Sequence, residues 1–196
     1  MIVVDGEFSG LVPHTCSLLS LAAIEFEHPD NQFVMECRAF PGAHLNKESL
    51  AYAGFTEEEA LDEAKPSEEE LIRNFLAWTE TVEERTLAGQ NVSFDRMFLL
   101  NAAHRAHLPF DIAYKTIDTH TLGFMHMVKR GMTPPTTNRR SALDLDALLN
   151  YVGIPEEPTP HIALNGAKSH AEVLSRLLYD KKLLPDFAEF NIPWQK

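Results

Sequence analysis

The first strand is predicted by an apolar run at the start of the chain. Residues 2–4 read Ile-Val-Val, and a continuous β-branched run is typical of a strand buried on both faces of a sheet. Asp5 and Glu7 follow, and the pattern breaks at Gly10. Residues two apart in a strand point to the same face, so we expect the two carboxylates to project side by side from its end.

Four more strands are predicted further along the chain. Residues 18–27 and 32–40 flank a His-Pro-Asp-Asn turn, which with the first strand predicts an antiparallel meander. Shorter strands are expected at residues 86–89 and 115–118.

Helices are predicted between and after these strands by apolar spacing and by capping residues, with N-caps at Thr56, Ser67, Ser93 and Ser141. They cover residues 46–54, 56–59, 67–80, 94–106, 119–129, 141–151 and 162–181. Residues 130–141 contain Gly131 and two prolines, and we expect them to form a mobile surface loop. The predicted fold class is therefore α/β, with a mixed five-stranded sheet flanked by helices on both faces and a site near the strand ends.

Length and composition predict one domain. The chain has 196 residues, of which 44% are hydrophobic, and we expect a domain at residues 1–182 with a tail at 183–196 packed on it. The chain contains no apolar run of 18 residues, so we expect no membrane span, and we also expect no signal segment ahead of the first strand. Two cysteines in unlike contexts, Cys16 and Cys37, are expected to be structural thiols in a reduced, cytoplasmic protein.

The net charge of −12 restricts the partners that we expect. A protein that holds a long duplex usually carries a basic face. This chain therefore either does not bind nucleic acid or binds a short piece through metals and a few local cations. Its acidic runs, at residues 57–59, 68–70 and 80–84, are most simply solvated helix faces.

Candidate chemistry lies in three short stretches. Asp5 and Glu7 end the first strand, Asp95 falls in the first turn of a predicted helix, and His161 precedes the last helix. Each has an ordinary explanation alone: an acidic turn, a charge favoured by the helix dipole, or a loop histidine. Two neighbouring carboxylates repel each other unless a cation lies between them, so the strand-end pair raises the hypothesis of a metal site.

Taken in order, these stretches resemble the DEDDh 3′–5′ exonucleases of the ribonuclease H-like superfamily. The resemblance is carried by Asp5-x-Glu7 on the first strand, by Asp95 in Asn-Val-Ser-Phe-Asp and by His161 before the last helix. Three weaker landmarks are the Gly-Phe-Thr segment at residues 54–56, Asp118-Thr119 at a strand end, and a helix ending in Val-Gly-Ile at residues 152–154.

The resemblance implies a ribonuclease H-like fold and a two-metal 3′–5′ exonuclease that hydrolyses phosphodiester bonds at the 3′ end of short or single-stranded DNA or RNA. It implies that Asp5, Glu7 and Asp95 bind two Mg²⁺ or Mn²⁺ ions, because hard oxygen ligands favour those metals. His161 would be the general base. Family members are often dimeric, which makes a homodimer one expected assembly. The sequence leaves both the oligomeric state and the preference between DNA and RNA open.

Substrate contacts are expected from the neighbours of these residues. Phe8 is placed to stack on a terminal base and Leu11 to wedge between the last two bases. The other expected substrate-binding residues are Ser9, Gly10, Asn91, Ser93 and Phe94. The best local cations for a phosphate backbone are Lys129, Arg130, Arg139 and Arg140.

One position departs from the family pattern. The family has an aspartate five residues after the histidine, where this chain has Gly166. Three alternatives follow: His170, one helical turn further on, serves as a substitute ligand; the three remaining carboxylates suffice, with the second metal bound weakly; or the protein is an inactive nucleic-acid-binding or accessory module. Glu172 is less well placed around the helix to substitute.

Overall fold

A five-stranded mixed sheet forms the centre of the protein in the computed structural model, which describes residues 1–195. The strand order is β3-β2-β1-β4-β5. The first three strands pair antiparallel, whereas β4 pairs parallel with β1 and β5 pairs parallel with β4, so the predicted meander and mixed sheet are confirmed. The strands are β1 (Ile2–Phe8), β2 (Leu18–Glu25), β3 (Gln32–Glu36), β4 (Leu87–Gly89) and β5 (Ile117–Asp118).

The helices begin largely where the capping residues predict. Thr56 and Ser67 each form a capping box, in which the hydroxyl accepts a backbone N–H and a glutamate three residues on accepts the N–H of the cap residue. Gly153 ends α6 in the left-handed conformation, with a φ of 82°. The helices are α1 (Lys47–Tyr52), α2 (Glu57–Ala60), α3 (Glu68–Thr79), α4 (Ser93–Arg105), α5 (Thr119–Lys129), α6 (Leu145–Val152) and α7 (Ala163–Tyr179).

The side chains of β1 alternate between the two faces of the sheet, and this determines which way its carboxylates point. Ile2 and Val4 pack into the core beneath α3 and α4, whereas Val3 packs against residues of α7 such as Leu174. The odd-numbered residues of β1 therefore face α7, and the period of two carries Asp5 to the same side.

Three of the predictions of local secondary structure are wrong. Residues 130–141 are not a structureless loop, because β6 (Thr136–Thr137) and β7 (Arg140–Ser141) pair as a hairpin. Its turn residues Asn138 and Arg139 have φ values of 47° and 62°, the left-handed conformation that two-residue hairpin turns require.

The other two errors concern helix starts. Ser141 does not cap α6: its hydroxyl bonds the ring of His120 and the N–H of Leu143, and Asp144 caps the helix instead. Ser93 is the first residue of α4 and follows Val92, which makes no side-chain capping bond.

The C-terminal segment is held to α7 by a buried ion pair. Arg176 donates to Glu172 at 2.7 Å, and both side chains are 0% exposed. The carboxylate of Glu172 also accepts the N–H groups of Leu183 and Leu184 at 2.9 Å. The guanidinium of Arg176 donates to the backbone carbonyls of Val152, Phe187, Phe190 and Asn191. Lys196, the end of the predicted tail, lies outside the described residues.

Two further observations bear on the sequence-based expectations. Within residues 1–195, no helix combines the length and the apolar character needed to cross a bilayer. Cys16 and Cys37 are both buried free thiols, and burial raises the pKa of the Cys37 thiol.

Arg176→Met should lower the free energy of unfolding by about 3–5 kcal/mol, because it leaves the buried Glu172 carboxylate without its counter-charge. Arg73→Met is the matched control, since Arg73 also pairs with a glutamate one turn away at 2.7 Å but on the surface. Its cost should stay below about 1 kcal/mol. Denaturant unfolding measures both, and equal costs for the two variants would contradict a structural role for the buried pair.

Candidate active site

Asp5 and Glu7 occupy the end of β1 where the strand becomes irregular. The pairing register with β2 shifts between Glu7, which lies opposite Ser20, and Phe8, which lies opposite Leu18. Such bulges re-aim side chains at the ends of strands. The Glu7 residue is only 6% exposed, so this carboxylate points into the protein instead of into solvent.

Asp95 joins these two carboxylates from the first turn of α4. It is 6% exposed, and the backbone N–H groups of Asp95 itself and of Gly6 in β1 lower its pKa, against the larger effect of burial. The three acidic residues predicted from sequence thus lie at the edge of the sheet that is formed by the strand ends, beside the end of the central strand β1.

Two adjoining cavities open around this edge. The first, called here the outer cleft, has a volume of about 390 Å³. The second, the inner cavity, has a volume of about 320 Å³. They share the lining residues Asp5, Gly6, Glu7, Tyr52 and Gln90. The inner cavity is otherwise lined by Asp144, Leu145, Asp146, Glu157, His161 and His170.

Burial and mutual repulsion make it unfavourable for these carboxylates to carry charge. Burial raises the pKa of Glu7 to about 7 and that of Asp95 to about 8. Burial also raises the pKa of Asp5 well above its usual range, and the neighbouring charges of Asp95, Glu7 and Glu157 add to that shift. A cation among the carboxylates would reverse the repulsive part of these shifts.

His161 lies just before α7, with its side chain 16% exposed. Its ring stacks on Tyr52 at a centroid distance of 4.2 Å, and its Nδ1 lies 3.3 Å from Oε2 of Glu157. A carboxylate only accepts hydrogen bonds, so this contact places a proton on Nδ1. With a proton on Nδ1, Nε2 is the ring nitrogen left to act as a general base.

Glu157 is the member of this site that sequence reasoning missed. Its side chain is 3% exposed, and Oε1 is the only fully buried side-chain nitrogen or oxygen in residues 1–195 without a hydrogen-bond partner. A carboxylate four positions before His161 was the available signal. Sequence alone could not separate Glu157 from Glu156, which faces solvent and accepts a hydrogen bond from Asn150.

Gly166 lies directly against Asp5. A Cβ atom placed on Gly166 would lie 2.2 Å from Oδ2 and 2.6 Å from Cγ of Asp5. The Asp5 carboxyl therefore occupies the space that a side chain at position 166 would need. Glycine at this position is a packing requirement for Asp5 and α7 as they are placed.

The two other acidic or basic candidates on α7 have different surroundings. His170 is 2% exposed and lines the inner cavity, and its Nδ1 contacts the carbonyl oxygen of Val4 at 3.1 Å. Burial lowers the pKa of His170 to about 4, so its ring is neutral. Glu172 is engaged by Arg176 and by the chain after α7, which removes it as a candidate ligand.

Most of the residues expected to contact substrate line the outer cleft. Phe8 packs on Phe98 at a centroid distance of 4.0 Å, and Leu11 is 76% exposed at the edge of the cleft. Gly10, Asn91 and Phe94 complete this group.

Two of the expected residues and the basic segment lie elsewhere. Ser9 is fully buried, donating to the carbonyl of His44 and accepting the N–H of Ser17, and Ser93 is exposed outside the cleft lining. The four cations around the hairpin also line neither cavity: Lys129, Arg130, Arg139 and Arg140.

The donor set suits a hard divalent cation. Asp5, Glu7 and Asp95 offer carboxylate oxygens, which Mg²⁺ and Mn²⁺ prefer, and Glu157 adds an unpartnered buried oxygen. Across residues 1–195, no three His, Cys, Asp or Glu side chains are already grouped as a metal site. Metal binding therefore requires these side chains to converge from their positions around the two cavities.

Comparison with known proteins points to nucleases. The chain is 31% identical over 136 residues to ribonuclease T of Marinobacter nauticus, and the match covers 62% of this chain and 61% of that protein. It is 28% identical to ribonuclease T of Yersinia pestis, with 62% of this chain and 63% of that protein covered. The chain thus covers less than two thirds of these relatives. No family model matches the chain.

Solved structures share the fold. The nuclease domain of 3′hExo, a DEDDh family member bound to rAMP, superimposes with a TM-score of 0.70 at 16% identity, covering 97% of this chain and 94% of that chain. The chain is thus similar in sequence to ribonuclease T and similar in fold to a DEDDh nuclease domain. Escherichia coli exonuclease I in complex with a dT13 oligonucleotide gives a TM-score of 0.71 at 20% identity, covering 89% of this chain and 40% of that chain. The ribonuclease H-like architecture inferred from the DEDDh resemblance is therefore confirmed.

Gly166→Ala should destabilise the protein by about 1–3 kcal/mol, because the added methyl group overlaps the Asp5 carboxyl. The same substitution in an Asp5→Ala background should cost much less, since the nearest remaining atom of residue 5, its Cβ, would lie 3.2 Å away. Denaturant unfolding of the four proteins gives the coupling energy. Equal costs of Gly166→Ala in both backgrounds would show that the Asp5 carboxyl does not occupy this space.

Proposed function

We propose that this protein is a metal-dependent 3′–5′ exonuclease that shortens single-stranded nucleic acid from its 3′ end. The observation that carries the proposal is that Asp5, Glu7 and Asp95 line one cleft beside the end of β1, with His161 across the adjoining inner cavity. The ribonuclease T relatives and the DEDDh fold support the same reaction class.

The chemistry divides between the carboxylates and the histidine. Asp5, Glu7 and Asp95 would hold Mg²⁺ or Mn²⁺, which when bound stabilises the developing charge on the scissile phosphate. His161 accepts a proton from the attacking water at Nε2, while Glu157 fixes the ring through Nδ1. The stack on Tyr52 limits rotation of the ring.

The outer cleft is suited to the terminal nucleotides of a single strand. Phe8 and Phe94 form an aromatic wall, and aromatic faces bind bases with little regard to sequence. Leu11 projects at the rim, where it can separate the last two bases. The negative net charge favours short strands and frayed ends over a long duplex.

Degradation of labelled oligonucleotides with Mn²⁺ tests the reaction. We expect a 5′-labelled strand to give a descending ladder and a 3′-labelled strand to release labelled mononucleotide at once. Chelation with EDTA and Asp5→Ala should each abolish the activity, and His161→Ala should slow it by about 10²–10⁴-fold through loss of the general base. Nucleotide release that survives Asp5→Ala would exclude this site as its source.

Leu11→Ala should raise KM several-fold and leave the free energy of unfolding within about 0.5 kcal/mol of wild type, since the side chain is 76% exposed. Steady-state kinetics on a single-stranded oligonucleotide measures the first effect. Val34→Ala is the matched control, because Val34 is also an exposed apolar residue, 52% accessible, outside both cavities. An unchanged KM for Leu11→Ala would remove the wedge role.

The second candidate function is a binding or accessory module without catalysis. Gly166 favours it, because the Asp5 carboxyl fills the space where the family carries its fourth acid. Calorimetric titration separates the candidates: the exonuclease requires Mn²⁺ binding that depends on Asp5, whereas the module requires oligonucleotide binding without it.

A further inference from the structure

The two carboxylate oxygens of Glu157 have different surroundings. Oε2 lies 3.3 Å from Nδ1 of His161, whereas Oε1 is buried without a hydrogen-bond partner in residues 1–195. Such an oxygen is unfavourable in the folded protein unless a ligand satisfies it. The hydrogen bond to His161 uses Oε2, and the backbone N–H of Ile162 also lowers the pKa of this carboxyl, so Oε1 is the oxygen left without a hydrogen-bond partner.

Glu157 is one of the carboxylates around the inner cavity, which Asp144 and Asp146 also line. It lies in the segment between α6 and α7 and lines the inner cavity together with Asp5 and Glu7. Its negative charge is felt by both of those carboxylates, whose pKa values it helps to raise. Gly166, at the start of α7, contributes no oxygen there.

We propose that Glu157 supplies, through Oε1, the carboxylate that Gly166 does not provide for a divalent cation. Its other oxygen, Oε2, fixes the orientation of the His161 ring. This inference rests on the proposed function and identifies a ligand specific to this chain. Glu157 is favoured over His170 because it offers the oxygen donor that Mg²⁺ prefers, whereas His170 offers a ring nitrogen. One side chain would thus connect the cation to the general base.

Mn²⁺ titration without nucleic acid tests the proposal, followed by calorimetry or by the electron paramagnetic resonance signal of the free ion. Glu157→Gln keeps the shape of the side chain and its acceptor for His161 but removes the charge. We expect it to weaken Mn²⁺ binding at least ~10-fold, as loss of a contributing group does in metal sites. Glu156→Gln is the matched control, an adjacent exposed carboxylate that should leave Mn²⁺ affinity and nuclease rate unchanged.

Three comparisons make the result decisive. His161→Ala should retain Mn²⁺ affinity, because the histidine is not proposed as a ligand. If Glu157→Gln also retains Mn²⁺ affinity and only slows hydrolysis, Glu157 merely positions the histidine, and the proposal is overturned. If His170→Gln rather than Glu157→Gln weakens binding, His170 is the ligand. The thermal shift produced by Mn²⁺ gives a second readout: it should shrink in Glu157→Gln and persist in Glu156→Gln.

Failure of this proposal is distinguishable from failure of the proposed function. A wild-type protein that binds Mn²⁺ and degrades oligonucleotides, beside a Glu157→Gln variant of wild-type affinity, overturns the ligand role alone. A wild-type protein that neither binds Mn²⁺ nor releases nucleotides overturns both.

Discussion

The site depends on the close approach of α7 to the end of β1. The Asp5 carboxyl lies in the space that a side chain at Gly166 would fill, so there is no room between β1 and α7 for an additional methyl group. Any larger residue on the helix would displace the carboxyl or the helix. His161 stands just before α7, so the placement of this helix against β1 also places His161 relative to the carboxylates.

That approach is maintained from the other end of α7. The buried pair of Glu172 and Arg176 ties the helix to the segment that follows it and to the end of α6. A buried pair of this kind brings little net stability over an apolar replacement, but it tolerates only one arrangement of its partners. It therefore favours a single placement of the helix, on which the active-site geometry relies.

A cluster of buried carboxylates is unfavourable in a protein without a bound cation. Here the effects that raise and lower the carboxyl pKa values can be named. Burial raises the pKa of Glu7 to about 7 and of Asp95 to about 8, while two backbone N–H groups act in the opposite direction at Asp95. Glu157 adds an oxygen that no hydrogen bond satisfies. Groups held at such cost are typical of binding sites, where a ligand supplies the compensation.

The sequence by itself determined the strand pattern, most helix starts, and the order of Asp5, Glu7, Asp95 and His161, because alternation, capping and short motifs are local signals. It mistook the hairpin at residues 136–141 for a loop, because a left-handed Asn-Arg turn leaves little trace in composition. Only the tertiary structure decided that the Asp5 carboxyl occupies the space beside Gly166 and that the side chain of Glu157, not that of Glu156, is buried. The first depends on a contact between residues distant in the chain, on α7 and β1, and the second depends on how the segment between α6 and α7 folds over the inner cavity.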